Sequence, residues 1–460
     1  MHRPAPPPFR PYSVHFAYKG SNALRLVNHK DDTFLGEAPE WVEGSRNKDA
    51  AYVKGAPVTV QVVFILSGGA PDSLGRRQGE PNVLEGIIGA TCDWDDSYGL
   101  VPTSGDPIKF NPNGKSDPVE FTLKGGHLHD EVGSWHINWL WHCQQGSKTV
   151  NLGITDHVIH TTWRPLLSAE PWVDSKAASM WSPADGEHIV RWTYLSIVRW
   201  TCGWIHDTDG AADNEQTMCD AMIKNLPKSG LSYYVMKWAV KDMLNNGGGM
   251  CGGWYKMFQA MAAAHGISLE RRMFLVDRVD HSSEEAPDVK WDAIVVRKGG
   301  VGLPYPVEVP STFHDARYNG GSVGSAEVYT ESRYRFWGIA NGHHDGHCVN
   351  FLKDATTGKY TLYDPSFGTE GIELDLTELP EPKLETVDSW DVGNFKEAYL
   401  DDNIEYLMGS LFAGGEPYKA FWDFRLSCSE VHHIASFNGV TVETRSIKER
   451  ALPIPFLWGP

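Results

Sequence analysis

"NNGGGMCGGWYKMFQAMAAAHGI", residues 245–267, sets a single thiol, Cys251, among five glycines: Gly247, Gly248 and Gly249 before it, Gly252 and Gly253 after it. Past the thiol, Trp254, Phe258, Met261 and Ala262 recur at helical spacing, so the pattern predicts a helix that starts at Cys251 and has one apolar face. Gly266 stands where such a helix is capped. The first turn of a helix offers unpaired N–H groups and the positive end of the helix dipole, and both stabilise a thiolate. The glycines ahead of it let the chain turn sharply and let a substrate backbone approach. The free N–H groups can also hold an oxyanion. The plainer reading makes Cys251 a small core residue at a loop–helix junction, since cysteine is among the most buried residue types. A nearby base, and a group to orient it, would decide between the two.

Such a pair lies downstream in "NGHHDGHCVNFLKDATTGKYTLYDPSFG", residues 341–368. Two strand-like runs flank the turn "DATTG" and form a hairpin. Pairing that is symmetric about this turn brings His347 and Asp364 nearly opposite each other, at about 5 Å between Cβ atoms. That separation suits a carboxylate that holds an imidazole in one tautomer. His343 and His344 precede the strand and read as loop histidines or substrate contacts. A surface turn with a chance His–Asp pair is the bland alternative. A thiol at a helix start followed by an opposed His–Asp pair is harder to obtain by chance.

These stretches resemble the transglutaminase-like superfamily. The glycine-rich approach to Cys251, the apolar helix and its Gly-Ile exit are similar to the family's nucleophile helix. "DGHCVNFLKDATTGKYTLYDPS" is similar to its second and third motifs, a Gly-His that opens one strand and an Asp-Pro that closes the next. The resemblance spans about residues 180–370. It implies a papain-like core, with the Cys251 helix packed on an antiparallel sheet that bears His347 and Asp364. The implied roles are nucleophile for Cys251, general base and acid for His347, and orienter for Asp364. Trp204 and Gly249 are the corresponding candidates for oxyanion or substrate contacts. Two departures stand out. The interval from Cys251 to His347 is long, which fits an insert near the cleft at about 280–340. The Gly-Gln-Cys-Trp signature of animal protein-crosslinking enzymes is missing, and there is no room for their two C-terminal β-domains, so crosslinking is disfavoured.

The rest of the chain sets limits on this reading. It has 460 residues, with 59 acidic against 41 basic and a formal charge of -18. Such a surface repels phosphate backbones and anionic lipid, so nucleic-acid and membrane partners are not expected; a protein or peptide substrate is. The N-terminal stretch has no apolar core of a signal peptide, and no run is long and apolar enough to span a bilayer. The seven cysteines are scattered, without a CxxC pair, which argues against a disulfide framework or a four-cysteine zinc site. The expected location is the cytoplasm, or export without a classical signal.

Residues 1–14 read as a flexible proline-rich arm. From 15 to 170, short β-branched and aromatic runs ("PVTVQVVFIL", "PVEFTL", "WHINWLWHC", "KTVNLGI", "HVIHTTW") predict a β-sandwich-like domain. "PVTVQVVFIL" reads as a buried strand. In "WHINWLWHC", alternation puts Trp135, Ile137, Trp139, Trp141 and Cys143 on one face and His136, Asn138 and His142 on the other. A packed tryptophan face is the first reading; sugar stacking and a histidine metal site are the lesser ones. From 180 to 460 the expectation is a transglutaminase-like catalytic domain. Helices are expected over "EHIVRWTYLSIVRWTCGWI" and "LSYYVMKWAVKDMLNN", and the tail contains the helix-like "FKEAYLDDNIEYLMGSLF". "DTDGAADNE", with Asp207, Asp209, Asp213 and Glu215, breaks the calcium-loop pattern and reads as a solvated loop. Calcium is the secondary reading there, and no other cofactor is called for.

The expected class is therefore α+β, and the expected activity is acyl transfer from amide bonds through a Cys251 thioester. Hydrolysis by a cysteine peptidase or amidase comes first. A transglutaminase that joins glutamine to amines is the alternative, and a catalytically silent scaffold is the non-enzymatic one.

Overall fold

The computed structural model describes residues 7–16, 24–35, 39–67, 82–84, 86–167, 192–208, 214–233, 239–249, 251–278, 293–297, 336–339, 346–366, 368–375, 377, 404–408 and 422–427. The fold is mixed α+β, with one large curled sheet and few helices. It divides into two units. The first takes in Met1–Leu167, Arg191–Ala212 and Ala264–Gly266; the second takes in Ser168–Val190, Asp213–Ala263 and Ile267–Pro460.

Nine strands build the first unit's sheet: β1 (Phe9–Phe16), β2 (Trp41–Val42), β3 (Ala50–Val53), β4 (Thr59–Leu66), β5 (Ile87–Cys92), β6 (Leu100–Pro102), β7 (Val119–Leu123), β8 (Gly133–Gln145) and β9 (Lys148–Thr162). Their order is β2-β1-β4-β7-β6-β5-β8-β9-β3. Only the β9–β3 pair is parallel. The apolar run in β4 is not buried on both sides, as its sequence suggests. Val60, Val62, Phe64 and Leu66 are buried, while the residues between them are half-buried. Strand β8 follows the expected alternation, with Ile137, Trp139, Trp141 and Cys143 in the core. A buried indole N–H needs a partner. Trp139 donates to the Tyr98 carbonyl at 2.8 Å and Trp141 to the Thr155 hydroxyl at 2.9 Å. These two rings are core, which removes them from the sugar-stacking reading.

The sheet closes over its own apolar face. The Phe64 ring on β4 lies 5.7 Å from the Trp141 ring on β8. Four inter-strand steps separate these strands, roughly 19 Å in a flat sheet. The two layers of the expected sandwich are thus two parts of one curled sheet. The expected strands "KTVNLGI" and "HVIHTTW" are a single strand, β9, of 15 residues. Trp141 pairs with Gly153 and His142 with Asn151, so Leu152 is an extra residue, a bulge. A bulge bends a strand and increases its twist, which helps a long hairpin curl.

Helix α1 (Leu195–His206) belongs to this unit. It is shorter than its sequence pattern suggests, because Trp192–Tyr194 pairs as a strand with Arg25–Val27. Arg199 on α1 holds the buried Asp49 through Nε at 2.7 Å and Nη2 at 2.9 Å. Asp49 also meets His160 Nε2 at 2.8 Å, and His160 Nδ1 meets the Ser134 hydroxyl at 2.8 Å. This chain of contacts ties α1 to β8, β9 and the start of β3.

The second unit has helices α2 (Glu215–Asn225), α3 (Val240–Asn246) and α4 (Cys251–Ala264). Its five-stranded antiparallel sheet comprises β10 (Glu270–Arg278), β11 (Gly346–Lys353), β12 (Tyr360–Asp364), β13 (Thr369–Leu374) and β14 (Trp422–Ser427), in the order β13-β12-β11-β10-β14. Ala293–Arg297, Phe336–Ile339 and Ile404–Met408 form a separate three-stranded sheet. Three sequence expectations give way here. Among the described residues of "LSYYVMKWAVKDMLNN", helix occurs over α3 and Ser232–Tyr233 is a two-residue strand. Glu215 opens a helix, and Asn214 caps it by accepting from the Thr217 N–H at 2.9 Å. "IEYLM" in the tail is strand, because its partner Ala293–Arg297 is remote in sequence. Among the described residues no helix is long and apolar enough to cross a membrane.

Candidate active site

The local chain makes the loop–helix junction expected from "GGGMCGG". Gly247 ends α3 in the left-handed region (φ 79°), and its N–H donates to the Met243 carbonyl at 2.9 Å. Gly248–Gly249 then runs beside Ser232–Tyr233 as a short parallel pair. Cys251 is the first residue of α4. The first N–H groups of any helix lack intrahelical partners, so this end presents donors and the positive dipole end. At the other end Gly266 is left-handed (φ 73°), and the Ile267 N–H reaches back to Ala262 O at 3.0 Å, a Schellman closure.

Helix α4 is buried nearly all round, with only Lys256 and Gln259 half-buried among its residues from Gly252 onward. A single apolar face is therefore too narrow a description. A helix enclosed on all sides is core. Trp254, fully buried, donates its indole N–H to the Gly249 carbonyl at 3.0 Å. This bond pins the glycine approach onto the helix. It also occupies the carbonyl of Gly249, one of the expected oxyanion or substrate contacts. Nothing in the spacing of the apolar residues signals it.

His347 is the second residue of β11 and Asp364 the last of β12, and these strands are neighbours. The hairpin exists, but its register differs from the symmetric expectation by two residues. Asn350 pairs with Tyr363 and Lys353 with Tyr360. One further step in this register sets Asp364 beside Val349, and His347 two residues beyond, past the end of β12. The β11–β12 pairing runs from Lys353–Tyr360 to Asn350–Tyr363, so His347 and Asp364 stand on neighbouring strands but are not directly opposite. The cause is the turn. Asp354 accepts from the Thr356 N–H at 2.8 Å and donates its own N–H to the Lys359 carbonyl at 2.9 Å. Gly358 is left-handed (φ 72°). The loop consequently runs from Asp354 to Lys359, one residue longer than "DATTG".

Asp364 is fully buried, and its Oδ1 accepts from the Ser366 N–H at 3.1 Å, across Pro365. Ser366 Oγ and Thr369 Oγ1 beside it, and both side-chain polar atoms of Asn350, have no hydrogen-bond partner among the described residues. Trp204 is on α1 in the first unit, where it is buried and stacks on Trp200 at 6.0 Å. His343 and His344 lie outside the described residues, as do Asp209 and Asp213. Asp207 ends α1, and Glu215 is the first residue of α2. Among the described residues no three His, Cys, Asp or Glu side chains converge on a metal-sized point. In the histidine-rich stretch, His129 stacks on Trp135 at 3.7 Å and Tyr98 at 4.3 Å, and burial lowers its pKa.

No family model matches the chain, and no curated protein matches it. Among solved structures it is similar to a chain described as a "putative protease" from Parabacteroides distasonis ATCC 8503. The identity is 10%, the match covers 72% of this chain and 70% of that one, and the TM-score is 0.15. That score is far below the level of a shared fold, so the functional reading stands on the chain's own residues.

Proposed function

We propose that this protein is a thiol-dependent acyl-transfer enzyme of the transglutaminase-like, papain-like kind, and that it hydrolyses peptide or isopeptide bonds in protein or peptide substrates. One observation carries the reading. Cys251 opens a buried helix in the same unit as two adjacent antiparallel strands, of which one bears His347 and the other Asp364.

In the proposed reaction the Cys251 thiolate adds to the amide carbonyl carbon. A C–S bond forms, and the carbonyl electron pair moves onto oxygen. The N–H groups at the start of α4 stabilise that oxyanion. Its collapse restores the carbonyl and breaks the C–N bond, and imidazolium His347 gives its proton to the departing nitrogen. His347 then takes a proton from water as the water adds to the thioester. The second collapse breaks the C–S bond, releases the acid and returns the thiolate. Asp364 keeps the imidazole in the required orientation throughout.

The test is the alkylation rate of Cys251 against pH, read by site occupancy, followed by hydrolysis of a peptide library. The expected midpoint is about pH 4–7, lost in His347→Ala, whose turnover should fall by about 10²–10⁴-fold. A midpoint near an ordinary thiol's, about 8.5, would move the protein to the scaffold reading. Incorporation of a labelled amine into a glutamine-containing protein, abolished in Cys251→Ala, would make the acceptor an amine instead of water.

A further inference from the structure

Asp364 is one residue from a buried contact that joins three elements of the second unit. Tyr363 precedes it on β12, a strand buried along its whole length. The Tyr363 hydroxyl donates to Asp220 Oδ1 on α2 at 3.0 Å, and lies 3.4 Å from the Gln216 carbonyl. The Tyr363 ring lies 5.4 Å from the ring of Phe258. Phe258 is about two turns along α4 from Cys251. Asp220 also accepts the backbone N–H of Gly371 on β13. A Cβ on Gly371 would come within 2.8 Å of Asp220 Oδ1 and 2.9 Å of the Tyr363 hydroxyl, so glycine alone leaves room for this arrangement.

We propose that Tyr363, Asp220 and Gly371 form a positioning node that sets the Asp364 end of β12 against the helix bearing Cys251. The inference rests on the thiol-enzyme reading above. The backbone between Tyr363 and Asp364 carries the constraint from the ring packed on α4 to the carboxylate. A catalytic carboxylate has to be held within about 0.5 Å of its working position, and that requires support from residues which touch no substrate. A hydrogen bond to an ionised carboxylate is roughly twice as strong as a neutral one, which suits a fixed point. Burial first, then the nearby Cys219 and Asp220, raises the Tyr363 pKa, so its phenol keeps the proton it donates. Burial raises the pKa of Asp220 as well, with the Tyr363 and Gly371 hydrogen bonds opposing the shift.

Tyr363→Phe removes one oxygen and keeps the packing on Phe258. The experiment measures Cys251 alkylation against pH and peptide turnover in the wild type, Tyr363→Phe, Asp364→Ala and the double variant, with thermal unfolding alongside. The expected result for Tyr363→Phe is an alkylation midpoint raised by about one pH unit and kcat lowered about tenfold, with KM nearly unchanged. The effect should vanish in the Asp364→Ala background, because residues that act through one another are not additive. Asp220→Asn, which keeps an acceptor, should restore most of the wild-type behaviour that Asp220→Ala loses. Asp220→Ala gives the same readouts if Tyr363→Phe fails to fold. An activated wild-type thiol whose midpoint and kcat are untouched in Tyr363→Phe and Asp220→Ala overturns the node alone. An additive loss in the double variant overturns it too, as a stability effect only. A wild-type midpoint near 8.5 overturns the thiol-enzyme reading and the node with it.

Discussion

His157 is an imidazole enclosed by rings. Phe16, Trp41 and Trp139 have centroids 5.6, 6.4 and 4.4 Å from it. Its Nε2 meets the Thr155 hydroxyl at 2.9 Å, and its Nδ1 has no hydrogen-bond partner among the described residues. Burial lowers its pKa from an ordinary 6.5 to about 3. The sign of the pH dependence follows. Below 6.5 the unfolded chain takes up a proton that the folded core refuses until about 3. The contribution is complete above 6.5 and is lost as pH falls towards 3, at about 1.4 kcal/mol per pH unit. His265, at the end of α4, is shifted in the same direction by the same cause. His157→Phe should remove one proton's worth of that slope. The variant should gain about 2 kcal/mol relative to wild type between pH 6.5 and 4.5, as measured by denaturant unfolding at the two pH values. An unchanged slope would mean that the ring is hydrated in solution. The sequence does not reveal this residue, because "DHVIH" alternates in the same way whether its histidine faces water or the core.

The links between elements separate what was legible in the sequence from what was not. Helix α4, strand β8 and the hairpin β11–β12 could all be read, because local periodicity and turn residues encode them. The two-residue register shift could not, since it depends on how Asp354 and Gly358 fold the loop. The short strand at Ile404–Met408 and the shortened α1 were likewise set by remote partners. The attachment of α1 is of this kind: Arg199 and Asp49 are far apart in sequence and meet only in the folded unit. Asp49 is buried and its pKa is lowered, against its own burial, by hydrogen bonds and charge from His160 and Arg199. Removing one partner of a buried pair leaves the other charge uncompensated, at about 3–5 kcal/mol. Arg199 is half-exposed, so solvent reduces that figure. Arg199→Ala is expected to lower stability by about 2 kcal/mol and to increase hydrogen exchange in α1 before it does so in β4. Equal exchange increases in both elements would mean that the ion pair is not what holds the helix.

At the scale of the whole molecule, the fold places chemically identical thiols in different surroundings among the described residues. Cys143, Cys202 and Cys219 are fully buried free thiols, and burial raises the pKa of each; for Cys219 the charges of Asp220 and Glu215 add to it. Cys202 also points its Sγ at the Thr161 carbonyl, 3.3 Å away. Cys251 stands at a helix start, where the field acts in the opposite direction. The order of the motifs along the chain, glycine-flanked cysteine, then Gly-His, then Asp-Pro, was legible. The division of the cysteines was not, because "WTCGW" and "TMCDA" look no more buried than "GMCGG" until the sheets close over them. A brief pulse of iodoacetamide at pH 7 on the native protein should therefore leave Cys143, Cys202 and Cys219 unmodified and label Cys251 first. The same pulse in denaturant should label all four at similar rates, since unfolding returns each thiol to about 8.5. The ratio of native to denatured rate at each site isolates the contribution of the fold from that of the reagent. A ratio above one at Cys251 and far below one at the other three is the expected pattern. Native labelling of Cys202 or Cys219 as fast as Cys251 would show that these thiols are open to solvent and that the core around them is not closed.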